Sequence, residues 1–184
     1  MIELLRKRRS IRRYTEKKIS KKSVEIVIES LLRAPSSRDF KPCEFILVDD
    51  TALLSKLSEA KEHGSQFLRK AQLSIVICAD GRKSDVWVED CSIASILVQM
   101  TALSLGLGSC WIQIRKRKHD AKETSERYVQ KILGLPGHIR VEAMISIGYP
   151  GEAKAPVAED KLDYSKVRLN HYSVQYTPGK NNMA

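Results

Sequence analysis

Residues 86–114 read VWVEDCSIASILVQMTALSLGLGSCWIQI, and the fold turns on this stretch. Its first part predicts a helix over 86–105, where Ile93, Ala94, Ile96, Leu97, Met100, Ala102 and Leu103 occupy most faces and no proline intervenes. A surface helix carries one apolar stripe, so a helix that is apolar nearly all round is buried on several sides, at the centre of a fold or of a dimer. Gly106-Leu107-Gly108 ends it. Residues 109–114 then read as a strand.

The neighbouring sequence supplies partners for both elements. Ser20 suits the N-cap of a helix that presents Val24, Val27, Ile28, Leu31 and Leu32 on one face and stops at Pro35. Residues 34–42 are polar and proline-bounded and lead into a strand over 43–48; two short amphipathic helices are predicted over 51–60 and 66–72, and a strand over 74–79. A helix over 125–133 closes at Gly134-Leu135-Pro136, and the last clear strand is 141–147. Interleaved helices and strands indicate an α+β or α/β protein. Beyond Gly148 periodicity fades and lysine and proline accumulate, the pattern of a segment that wraps a surface or a partner. No internal repeat or interdomain linker is evident.

Composition narrows the class. The chain has 184 residues, 42% of them hydrophobic and 29% charged, which suits one soluble globular domain and neither a disordered nor a fibrous protein. Its 32 Lys and Arg against 22 Asp and Glu give a formal charge of +10, which favours anionic partners. The basic clusters, Arg6-Lys7-Arg8-Arg9, Arg12-Arg13 and Arg115-Lys116-Arg117-Lys118, lack the interleaved aromatics of a nucleic-acid surface, so no nucleic-acid partner is expected. No apolar run is long enough for a membrane span and no signal-peptide core opens the chain; no membrane partner and a cytoplasmic location are the resulting expectations. Cys43, Cys78, Cys91 and Cys110 form no C-x-x-C pair and have few histidines for company, so free thiols, mostly buried, are expected and no metal site.

Four stretches, in this order, resemble the nitroreductase family: Arg8-Arg9-Ser10-Ile11-Arg12; Ala34-Pro35-Ser36-Ser37 with Lys41-Pro42 behind it; Gly106-Leu107-Gly108-Ser109-Cys110-Trp111-Ile112; and Ile147-Gly148-Tyr149-Pro150. The resemblance implies an α+β fold, a mainly antiparallel sheet flanked by helices, in an intertwined homodimer with FMN at each of two interface sites. It implies a domain over 1–170, with 171–184 as a tail. It also implies electron transfer by a ping-pong cycle, from NADH or NADPH through flavin N5 to a small-molecule acceptor such as a nitroaromatic or quinone.

Residue by residue, Arg8, Arg9 and Arg12 bring three forked cationic donors into five positions, chemistry suited to the FMN phosphate, and the Ser10 hydroxyl suits the phosphate or the ribityl chain. Taken alone, the same run reads as a solvated basic face. Lys166-Val167-Arg168 resembles a K-x-R element that reaches the same phosphate in family members; two exposed tail charges are the alternative. Pro35, Ser36 and Ser37 resemble a loop that the other subunit lays over the flavin. Where the family continues with Asn, Gln and Trp, this chain has Asp39, Lys41 and Cys43. Asp39 either turns the loop or places a negative charge near a ring that becomes anionic on reduction, with Lys41 two residues away to offset it.

Trp111, Ile112 and Gln113 resemble the strand beside the flavin ring, whose backbone amides bind the ring's reactive edge; a Glu-Gly pair is common where Gln113 and Ile114 stand here. Trp111 suits the core equally well. No side chain is an obvious acid or base, and no G-x-G-x-x-G fingerprint marks a separate nicotinamide domain. The departures at Asp39 and Gln113 leave open a flavin-binding relative with weak or specialised turnover, of the dehalogenating or flavin-processing kind. A basic nucleic-acid-binding module is the remaining alternative.

Overall fold

The computed structural model describes residues 1–179. Four strands, β1 (Cys43–Val48), β2 (Leu73–Asp80), β3 (Gly108–Gln113) and β4 (Ile139–Gly148), form one antiparallel sheet in the order β1-β2-β4-β3. β2 and β4 are the inner pair, with Ile75 opposite Ile145 and Val76 opposite Met144. β2 is buried throughout and β4 at every residue but Arg140, because both sheet faces are covered. The protein is α+β.

Five helices cover the sheet: α1 (Ile2–Lys7), α2 (Lys21–Leu32), α3 (Thr51–Ser58), α4 (Trp87–Ser104) and α5 (Ser125–Leu133). On one face Leu54 and Leu57 of α3 and Val129 of α5 pack with Val76, Ile112 and Met144. On the other, Val27 and Leu31 of α2 and Cys91, Ala94 and Val98 of α4 pack with Ile75, Ile77 and Ile145. α4 is apolar nearly all round because it meets α2, the sheet and α1. Ile93 and Ile96 are left 40% exposed, an apolar flank that this chain alone does not cover.

Side chains set the helix starts. Ser20 Oγ accepts the Ser23 N–H at 3.1 Å, Asp50 Oδ1 accepts the Leu53 N–H at 2.8 Å, and Thr124 Oγ1 accepts the Arg127 N–H at 3.2 Å. α5 ends on Gly134 in the left-handed conformation, φ 65°.

The structure corrects several element boundaries, and α3 ends at Ser58, two residues before its predicted end. The helix predicted over 66–72 is a 3₁₀ turn, Gln66–Lys70, because the chain is drawn into the sheet: Ala71 is extended and the Gln72 N–H donates to the Ile147 C=O. β4 begins at Ile139, two residues before the predicted start. Residues 2–7, read only as the approach to a basic run, form α1. Past β4 the chain makes two 3₁₀ turns, Glu159–Lys161 and Tyr164–Lys166, and an isolated bridge between Arg168 and Gln175. Of the tail predicted over 171–184, residues 180–184 lie outside the described residues.

Candidate functional site

β3 is an edge strand, and its outer edge is mostly unpaired. The Ile114 N–H donates to the Glu142 C=O, so by the alternation of an antiparallel ladder Ser109, Trp111 and Gln113 turn their backbone groups away from β4. The Ser109 C=O is taken by the Ile11 N–H at 3.0 Å, where the N-terminal segment runs alongside in a parallel bridge, Ser10 opposite Ser109. Beyond that bridge the outward N–H groups of Trp111 and Gln113 face the open edge, a row of donors aimed at whatever lies beside the strand.

The close approach of the N-terminal segment depends on two glycines. A Cβ on Gly108 would lie 2.8 Å from Ile11 Cβ and Cγ1, and one on Gly148 would lie 2.8 Å from Tyr14 Cδ1. Any side chain at either place would push residues 10–14 off the sheet. Tyr14 closes the contact: its hydroxyl lies 2.6 Å from the Ile11 C=O and 2.7 Å from Ser146 Oγ, and burial pushes the phenol well above its ordinary range.

This segment brings the arginines to the head of β3. Glu152 Oε1 accepts the Arg12 N–H at 2.6 Å and the Arg13 N–H at 3.2 Å, and Lys154 Nζ donates to the Ser10 C=O at 2.8 Å. Arg8, Arg9 and Lys154 line a cleft of about 160 Å³ with Gly108 and Ser109. Arg9 Nη1 bonds the Ala155 C=O, and the Arg12 guanidinium lies 5.8 Å from the Phe67 ring centroid. The convergence of charge is visible at Cys110: burial raises its thiol pKa, while Arg12, Lys154 and Arg8, together with the Ser10 hydroxyl, act to lower it. Lys166 and Arg168 sit elsewhere on this chain. Lys166 pairs with Asp163 at 3.4 Å, and Arg168 donates to Gln175 Oε1 at 2.6 Å.

Trp111 and Gln113 form a polar lock at the far end of the strand. Trp111 Nε1 donates to Gln113 Oε1 at 2.9 Å, and Gln113 Nε2 donates to the Arg115 C=O at 3.1 Å and to Glu142 Oε1 at 3.2 Å. The Gln113 side-chain amide is thereby occupied. Ile112, between them, is 1% exposed and its side chain belongs to the core.

The loop after α2 forms a separate feature. Ser36 precedes a 3₁₀ turn, Ser37–Asp39, in which Arg38 and Asp39 have φ of 51° and 55°, followed by Lys41 at 46°. Three left-handed non-glycine residues within four positions are costly and need outside support. Asp90 Oδ1 accepts the Ser37 N–H at 2.8 Å, and Ser36 Oγ accepts the Lys41 N–H at 2.9 Å. Asp39 and Lys41 do meet: Nζ lies 3.2 Å from Oδ1. Pro35, Ser36 and Lys41 line a small cleft with Leu31 and Cys43 beside β1, at the opposite edge of the sheet from β3.

A model of the nitroreductase family matches residues 5–64 and 54–149, and so embraces the N-terminal segment, the loop and all four strands. The chain belongs to the nitroreductase family. An FMN-dependent nitroreductase from Clostridium difficile R20291 superposes with a TM-score of 0.92 at 44% identity, over 94% of this chain and 100% of that one. A protein of Archaeoglobus fulgidus, provisionally named an NADH dehydrogenase/NAD(P)H nitroreductase, is 37% identical over 157 residues, 83% of this chain and 87% of its own length. The FMN reductase [NAD(P)H] of Bacillus subtilis is 26% identical over 92% of this chain and 75% of its own length.

Sequence reasoning missed four residues of this nitroreductase: Asp90, Glu142, Glu152 and Lys154. Two had a signal. Asp90 and Glu142 are acids set in apolar runs, and an acid buried to 2% or 4% exposure requires a polar partner. Glu152 and Lys154 lie in a segment without periodicity, where no pattern distinguishes them from surface charges.

Proposed function

We propose that this nitroreductase passes reducing equivalents from NADH or NADPH to nitroaromatic, quinone or similar acceptors, the two occupying one open site in turn. It is an FMN-dependent NAD(P)H oxidoreductase. The observation that carries the reading is the unpaired outer edge of β3, with Arg8, Arg9 and Lys154 gathered in a cleft at its head. From Ser109 to Gln113 the strand advances roughly 13 Å, a span suited to a mononucleotide with its phosphate at one end and its ring at the other.

In this reading Arg8, Arg9, Ser10 and Arg12 hold the phosphate end, and the backbone N–H groups of Trp111 and Gln113 bind the ring edge. FMN, when bound, supplies the hydride acceptor and donor at N5. The protein fixes, orients and shields: the Trp111–Gln113–Glu142 chain holds the β3 backbone in register, so that its donors need no rearrangement during turnover. Lys166 and Arg168 act from the tail, and Pro35, Ser36, Ser37 and Asp39 from a loop that serves the other subunit's flavin.

A homodimer fits the surfaces left open. Ile93 and Ile96 of α4, Ile2 and Leu5 of α1, and Val157 and Leu162 beyond β4 are all 40% exposed or more, apolar surface that a second copy would cover. Among the described residues no helix is long and apolar enough to cross a membrane.

Absorbance and turnover of the purified protein test the proposal. Oxidised-flavin bands and oxidation of NADH or NADPH that depends on added quinone or nitroaromatic are expected. A protein that stays colourless after incubation with FMN would overturn the reading; one that is yellow but scarcely bleached by nicotinamide would be a flavin binder with specialised turnover.

A further inference from the structure

Cys43, the first residue of β1, and Cys91, in the second turn of α4, place their sulfurs 3.6 Å apart. Cys91 is fully buried, whereas Cys43 is half-buried and lines the clefts beside Leu31 and Phe45. A small reagent can therefore reach one sulfur directly and the other only through it. The remaining thiols are set apart: Cys78 belongs to the core on the opposite sheet face, its thiol pushed up to about 12 by burial, and Cys110 lies on β3.

We propose that Cys43 and Cys91 are a peroxide-reactive dithiol that closes to an intramolecular disulfide, tying the end of loop 34–42 to α4. The Cys43 thiolate attacks one oxygen of a hydroperoxide; the O–O bond breaks, the sulfur becomes a sulfenic acid, and the other oxygen leaves as water or an alcohol after taking a proton. The Cys91 sulfur then displaces the hydroxyl, which leaves as water with the Cys91 proton. Two thiols and one hydroperoxide give one disulfide, one water and one further water or alcohol; the sulfurs together lose the two electrons that the peroxide gains.

The pair is asymmetric in the sense this chemistry requires. The contact with Cys91, whose thiol also lies 3.4 Å from the Cys78 C=O, lowers the Cys43 thiol pKa, which favours the nucleophilic thiolate at the accessible sulfur. The same contact and burial raise that of Cys91, which keeps its proton until the second step. Closing the bond needs the sulfurs to approach by roughly 1.5 Å, toward a disulfide length near 2.05 Å. Its reach extends to the loop's other anchor, because Asp90, the neighbour of Cys91, holds the Ser37 N–H.

The test uses the full-length holoprotein, reduced, desalted and titrated with hydrogen peroxide. Expected are loss of two of the four thiols counted in denaturant, loss of two hydrogens from the intact mass, and a dithiothreitol-reversible link between the Cys43 and Cys91 peptides within one chain. Cys91→Ser should leave a dimedone-trappable sulfenic acid on Cys43. Cys43→Ser and Cys43→Ala should each slow thiol loss at least about tenfold, since Cys91 is then neither exposed nor activated. If either variant fails to fold, the wild-type peptide map decides alone. Four surviving thiols at doses that oxidise free cysteine, a sulfinic acid on Cys43 beside reduced Cys91, or a link between chains would each overturn the proposal.

Discussion

Asp90 Oδ1 accepts the Ser37 backbone N–H at 2.8 Å, fastening the strained turn after Pro35 to the first turn of α4. Asp90 is 2% exposed, so this bond is shielded from water. Support from a rigid central helix is what allows Arg38, Asp39 and Lys41 to stay in left-handed backbone conformations.

Replacing Asp90 by Ala leaves the Ser37 N–H without its acceptor and should cost about 1–3 kcal/mol of stability. Asn retains an acceptor oxygen and should recover most of that loss. Urea denaturation of both variants measures the difference. Equal loss in Ala and Asn would mean that the charge, and not the hydrogen bond, holds the loop.

Arg8 and Arg12 are proposed to hold the FMN phosphate. Removing two charge-assisted contacts at the low end of their range, ~1.5 kcal/mol each, predicts FMN binding weakened roughly 100-fold in the Arg8→Ala/Arg12→Ala double variant. Flavin fluorescence titration at two salt concentrations reads the loss, and the salt dependence should flatten with it. Full flavin content in a folded double variant would sink the assignment.

Acid stability should report on Asp80. Arg82 grips both its oxygens, Nε to Oδ1 at 2.9 Å and Nη2 to Oδ2 at 2.7 Å, and these bonds hold the carboxyl well below the usual carboxylate range. A carboxylate whose pKa is lower folded than unfolded stabilises the fold above its unfolded value, about 3.9, and that contribution is lost as pH falls through the folded value. Arg82→Leu should therefore lower the urea midpoint at pH 7 and lower it by less at pH 3, the two proteins converging only nearer the folded value. A gap of equal size at both pH values would assign the effect to packing.

Much of this was legible in the sequence, for reasons that differ from residue to residue. The β1 strand and helix α5 were readable because apolar runs end at unambiguous punctuation, Pro42 before one and Gly134 after the other. The 3₁₀ turn at Gln66–Lys70 was not, since its helical pattern is overruled by a sheet bond at Gln72 that no local rule contains. At the candidate site the glycine and arginine motifs were readable as motifs. What sequence could not show was convergence: that Ile11 lies where a Gly108 side chain would be, or that Glu152 crosses 140 positions to hold Arg12. The Asp39–Lys41 contact was a matter of loop geometry, undecidable until three left-handed residues folded the two side chains together.

That contact bears on the flavin potential if the loop faces the partner's ring. Asp39 and Lys41 are 78% and 70% exposed, so their ion pair adds little stability, yet it nearly cancels their combined charge. Asp39→Asn leaves an unpaired cation, which favours the anionic reduced flavin and should raise its midpoint potential; Lys41→Gln should lower it. One unit charge at ~8 Å in a medium of dielectric ~40 is worth ~1 kcal/mol, or about 20 mV for a two-electron couple. The double variant should return near the wild-type value, because the two shifts have opposite sign. Spectroscopic titration against a reference dye measures all three. If neither single variant moves the potential, loop 34–42 does not lie against a flavin ring.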